Sequence, residues 1–147
     1  MYRLLVVLHL IGATIWVGGH LVLSLAVLPR ALRAREPSII REFETGFERI
    51  GIPALLVQVV TGVLLAQYWA PAIRTWFSPS SPQDWFILGK LGLLTCTVAL
   101  AAHARLRLIP NLDAAKLRLL AYHIVTVTLL GLLFLVFGVA IRTGGLL

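Results

Sequence analysis

The sequence predicts an all-α fold, an integral membrane four-helix up-and-down bundle with an amphipathic cytoplasmic helix ahead of the second span. Three observations predict it. Four apolar runs, at residues 4–29, 52–70, 85–104 and 119–141, each come to about the 20 residues that carry a helix across hydrocarbon. The chain is 59% hydrophobic and only 13% charged, which excludes disorder and argues against a soluble domain. The formal charge of +7 lies almost wholly in the gaps between the runs, where it sets topology rather than attracting nucleic acid. One polytopic domain, 1–147, accounts for the whole length.

The first run, LLVVLHLIGATIWVGGHLVLSLAVLP, carries two histidines and no formal charge before Arg30. It is too long for the core of a signal peptide, so it is read as retained. His9 and His20 are eleven residues apart, which puts them within ~20° of one helix face and roughly 16 Å apart along the axis. Gly12, Ala13 and Trp16 share that face, and small residues beside imidazoles suit close helix packing rather than lipid.

Residues 30–51 hold five arginines and four glutamates. Ile39, Ile40, Phe43, Phe47 and Ile50 nevertheless recur at helical spacing, and Ser38 stands where a cap would be. An amphipathic helix leading into the second span is expected. That span carries Gln58 near mid-membrane, where an amide must turn inward to find a partner. The connector PAIRTWFSPSSP follows, with Trp69, Trp76 and Trp85 around it as an expected interfacial belt. Ser81, Pro82 and Asp84 form a helix start with cap, first-turn proline and early acid.

The third span contains Lys90 and Cys96 and ends at His103; the fourth carries His123. Cys96 is expected as a buried structural thiol, since no CxxC motif or second cysteine exists. Arg30, Arg33, Arg35, Arg41, Arg49, Arg105, Arg107, Lys116 and Arg118 fall on one side, against Arg3, Arg74 and Arg142 on the other. The positive-inside rule then places both termini outside a bacterial-type cytoplasmic (inner) membrane.

All four histidines lie within spans, and ionisable or ligating groups at membrane depth point to function. From the span centres, at ~1.5 Å per residue, His20, His103 and His123 lie roughly 6, 12 and 10 Å toward the basic side. His9 lies about 10 Å the other way, near the level of Lys90. Imidazoles from facing helices hold haem in a bundle, so His20 opposite His103 or His123 is the expected haem b site. His9 and Lys90 border a second haem or a metal site, with Lys90 able to meet a propionate.

LHLIGATIWVGG in span one, the proline and arginine at its end, FERIGIPALLVQVVTG entering span two, and GK followed thirteen residues later by a histidine resemble the copper-resistance protein D (CopD) family. More distantly, His9 followed seven residues on by Trp16, with Lys90 and His103, is similar to the HemJ-type protoporphyrinogen oxidases. The resemblance implies four membrane helices and haem b binding, with His9, Lys90 and His103 as the matching positions. It also implies copper uptake or handling, or porphyrinogen oxidation, as functions. His20 and His123 depart from both patterns and favour a cytochrome-like electron carrier with one or two haems, whose redox partner or small-molecule electron donor or acceptor the sequence does not name. Copper transport is the alternative, weakened by the lack of any methionine beyond Met1. No nucleotide-binding loop, catalytic triad or intramembrane carboxylate pair supports hydrolytic chemistry. Membrane lipid is the expected surrounding, and Gly12, Gly18, Gly19 and Gly62 suit packing within the bundle or, alternatively, a homodimer.

Overall fold

A computed structural model describes residues 1–145. Among them there is no strand, and four helices are long and apolar enough to cross a membrane: α1 Tyr2–Ala34, α2 Ser38–Trp69, α3 Pro82–Leu108 and α4 Leu117–Thr143. α1 packs along α2 and bridges to α4, and α4 packs along α3. α2 and α3 meet over only a short stretch. The helices run up and down, so Tyr2 and Thr143 lie opposite the basic connectors.

α1 continues past the expected exit at Pro29. A proline inside a helix has no N–H to give, and its ring crowds the carbonyl four residues back. Here the turn before it, Leu23–Val27, is π-helical, with the Leu28 N–H donating to Leu23 O, and the widened turn admits Pro29 without a break. The helix stops at Arg35, whose φ of 54° turns the chain back. The amphipathic segment is likewise no separate helix: α2 runs without interruption from Ser38 through Pro53 to Trp69. Ser38 is not the cap expected of it. Pro37 takes that position, and no side chain caps the helix. By contrast, Ser81 and Asp84 form a complete capping box at the start of α3, with Pro82 in the first turn.

The basic end is solid. Leu23, Leu28, Ala31, Ile40, Leu117 and Leu120 make a common core there, with Phe43 and Ile39 packed against it. The amphipathic part of α2 is held by two polar ties: Arg41 donates to Leu112 O, and Glu48 pairs with Arg105. Higher up, α1 and α2 approach at Gly12, where an added Cβ would lie 2.9 Å from Ala54 O. Gly19 and Gly51 leave the space that the Phe47 ring fills, and Gly62 lies beside His9. Three of the four glycines expected in helix contacts are thus used within the bundle, whereas Gly18 meets nothing within 4 Å. Cys96, expected to be buried, is exposed on the outer surface of α3. An apolar exterior offers a thiol in a span no reason to turn inward.

Gly12 and Gly18 give a paired test of this packing. Overpacking costs about 1–3 kcal/mol, more than the roughly 0.5–1 kcal/mol that alanine gains over glycine in a helix. Gly12→Ala is expected to lower the melting temperature in detergent, while Gly18→Ala leaves it unchanged or raises it. Equal shifts from the two substitutions would contradict the close α1–α2 approach.

Candidate functional site

The half of the bundle away from the basic end is hollow. A cavity of about 340 Å³ lies between all four helices, reaching from Trp16 and Thr97 at its floor to Trp69, Trp76 and Arg142 toward the chain termini. Trp76 is not part of an exposed belt. It is buried, and its indole N–H donates to Ala70 O at 2.8 Å, which folds the Ile73–Trp76 turn inward against Ile87 and Ile141. Trp85 remains exposed, as a belt residue would be.

His9 and Lys90, placed by the sequence at one level, both line this cavity. His9 Nδ1 lies 2.9 Å from the Thr61 hydroxyl. That hydroxyl gives its single hydrogen to a backbone carbonyl one turn back, at 2.6 Å from Val57 O, so toward His9 it can only accept. His9 therefore carries its proton on Nδ1, and Nε2 keeps a free lone pair. The hydrogen bond to Thr61, itself buried, holds the ring in this tautomer. The neighbouring Gly62 leaves room for it: an added Cβ would lie 3.1 Å from the imidazole Cε1.

Lys90 reaches across to α4, its ammonium 3.2 Å from where a Cβ on Gly138 would stand. Among the described residues no carboxylate pairs with it: the ion pairs there are Glu48 with Arg105 and Asp113 with Lys116. Gln58 also lines the cavity, beside Gly12. Apart from these, Thr97 and Arg142, the wall is aliphatic and aromatic, with no methionine, cysteine or carboxylate in it.

The other histidines lie elsewhere. His20 does not line the cavity. Its Nδ1 donates to Trp16 O at 3.0 Å, and the ring sits between Trp16 and Phe47, with centroid separations of 4.5 and 6.1 Å. His103 and His123 instead meet each other at the basic end, Nδ1 to Nε2, at 2.8 Å. Imidazoles on opposite faces of one haem stand about 4 Å apart, two metal–nitrogen bonds of about 2.0 Å in line, so this direct bond leaves no space for a macrocycle between them. Among the described residues no three of His, Cys, Asp and Glu come close enough to share one ion. The sequence put three histidines at one depth; the structure joins two and encloses the third in aromatic rings. Thr61 and Arg142 escaped sequence reasoning. The i, i+4 step from Val57 to Thr61 marks a hydroxyl tied to its own helix, but its partner on α1 is visible only in three dimensions.

A family model for copper resistance protein D matches residues 41–141. No curated protein and no solved structure matches the chain. The matched stretch takes in Lys90, His103 and His123 and leaves His9 and His20, on α1, outside it. Covering α2 from Arg41 onward, all of α3 and nearly all of α4, that match makes the chain a member of the copper resistance protein D family.

Proposed function

We propose that this chain is a membrane redox protein that holds one haem b in the cavity between its four helices. His9 would hold its iron through Nε2, and Lys90 and Arg142 would meet its carboxylates. The observation that carries this reading is the Lys90 ammonium in a largely apolar intramembrane cavity, without a carboxylate partner among the described residues. A cation held at membrane depth needs an anion, and an apolar ligand bearing carboxylates supplies one. The donor set fits haem: one imidazole in the ligating tautomer, two cations, and walls of aliphatic and aromatic side chains. The volume of about 340 Å³ lies within the range of small-molecule sites.

Each residue then has a task of its own. Thr61 orients His9 and accepts from its Nδ1–H, as outer-shell partners do for ligating histidines. Lys90 and Arg142 neutralise anionic groups, and the apolar wall excludes water. Haem bound there would supply one-electron chemistry at a potential set by the axial ligand and by burial. The cluster of basic residues at the opposite end supports an orientation in which the cavity lies in the outer half of the cytoplasmic membrane.

A second reading, copper handling, is favoured by the family match. The cavity argues against copper there, because its lining offers a single imidazole and an ammonium that repels a cation. Optical spectra and metal analysis of the detergent-purified protein separate the two. The haem reading predicts a reduced b-type spectrum, one haem per chain by pyridine haemochrome, and a high-spin form, since one imidazole lines the site. A colourless protein from haem-replete cells that retains copper would leave the second reading standing.

Two substitutions test the roles. Charge-assisted hydrogen bonds contribute about 1.5–3 kcal/mol, so Lys90→Met is expected to weaken haem binding about 10- to 100-fold, and Lys90→Arg to retain most of it. Thr61→Val removes the partner of His9 Nδ1. Loss of such partners weakens metal affinity roughly 10- to 100-fold, and Thr61→Ser should recover it. Haem titration of the apoprotein measures both, and unchanged affinity in either variant contradicts the role given to that residue.

A further inference from the structure

The His103–His123 pair lies apart from the cavity and has no part in the function proposed above. Its chemistry can be worked out nitrogen by nitrogen. His123 Nδ1 donates to Leu119 O at 3.0 Å, so its proton is on Nδ1 and Nε2 presents a lone pair. That lone pair receives the N–H of His103 Nδ1 at 2.8 Å. The two rings are inclined by only 25°, with centroids 5.0 Å apart. With the nitrogens in contact, that separation means the rings meet end to end rather than face to face. Two nitrogens from two helices therefore point at each other along one line, with a proton between them.

We propose that this pair is a two-coordinate site for a soft monovalent d10 cation, Cu⁺ or Ag⁺, which takes the place of the shared proton. Linear coordination needs the nitrogens about 4 Å apart, so the rings must part by about 1 Å. The exposed His103 ring, on the last α-helical turn before the π-helical segment Ala104–Leu108, is free to make that movement. His103 shifts its own proton from Nδ1 to Nε2, and no net proton is released. The outer shell of a ligating histidine is already built at His123, whose second nitrogen is held by a backbone carbonyl. His103 is exposed at the basic end of α3, and His123 is half-buried. The nearby Arg105 guanidinium is held by Glu48. Two nitrogens suffice for a linear ion, and the absence of a third ligand nearby among the described residues argues against a tetrahedral dication.

The test is titration of the full chain in detergent with Ag⁺ in chloride-free buffer. A Cys96→Ser background removes the exposed thiol, which would otherwise compete. One site is expected. His103→Asn and His123→Asn should each weaken it at least tenfold, the double substitution no further, and His9→Asn and His20→Asn not at all. His103→Met separates a metal ligand from a structural hydrogen bond, because a thioether holds Ag⁺ but cannot donate to His123; this variant should bind. Helix content, followed by circular dichroism, checks that each variant is folded. Binding unchanged by His103→Asn and His123→Asn, or lost only with His9→Asn or His20→Asn, overturns the proposal, as does failure of a folded His103→Met protein to bind.

Discussion

Inside a bilayer a polar group has no water to turn to, and that single constraint accounts for most of the side-chain arrangement in this bundle. Thr61, Thr97 and Thr128 are buried, and each gives its hydroxyl hydrogen to a carbonyl one turn back on its own helix, at 2.6, 2.8 and 2.8 Å. His20 and His123 do the same with Nδ1. Among the described residues no buried side-chain nitrogen or oxygen is left without a partner. Against so complete a balance, Lys90 stands out because its ammonium reaches a cavity rather than a carboxylate. The cost of placing a charge there is the main physical reason to read the cavity as a place where an anionic ligand is received.

The cavity exists because the bundle is packed unevenly along its length. At the basic end, the first turns of α2 add a further layer of side chains, Ile40 and Phe43 among them, to the core. Arg41 and Glu48 then fasten that layer to the far side of the molecule. Further along, α2 is drawn onto α1 by Gly12, where the backbone of one helix lies against the other. A helix pulled toward α1 is pulled away from α3, and these two helices meet over only a short stretch. The space left between them is the cavity, closed toward the chain termini by the inward fold of Trp76. Solid packing at one end and a glycine contact on one side thus produce the hollow on the other.

Much of this was legible in the sequence because it depends on periodicity and on local chemistry. The four spans follow from length and hydropathy, and the Ser81–Asp84 capping box follows from the residues themselves. His9 and Lys90 were placed at one depth by counting residues from the span centres, and they line one cavity. What failed depended on phase or on tertiary contact. Proline at 29 suggested a boundary, but a π-helical turn admits it, and the amphipathic segment expected ahead of the second span is continuous with that span through Pro53. Ser38 had the chemistry of a cap and not its position. Cys96 was assigned to the interior by a rule learned from water-soluble proteins, which has no force where the exterior is apolar too. The partner of His103 could not be chosen from helical angles, since two helices of unknown rotation present too many combinations.

Three of the histidines illustrate how one local arrangement serves different ends. His9, His20 and His123 each have Nδ1 held by a hydrogen bond, to a hydroxyl in the first case and to a backbone carbonyl in the others, which leaves Nε2 as the available nitrogen. This is the state in which imidazole binds a metal, so the tautomer alone cannot distinguish a ligand from a structural residue. The surroundings of Nε2 make the distinction. Beside His9 there is a cavity that Lys90 also lines, around His20 there are Trp16 and Phe47, and at His123 there is another imidazole. The family match begins at Arg41, so the helix that supplies His9 and His20 lies outside it, whereas Lys90, His103 and His123 lie within. The cavity therefore joins a helix outside the matched stretch to three inside it, and its ligand chemistry depends on both: the imidazole comes from one side of that boundary and the ammonium from the other.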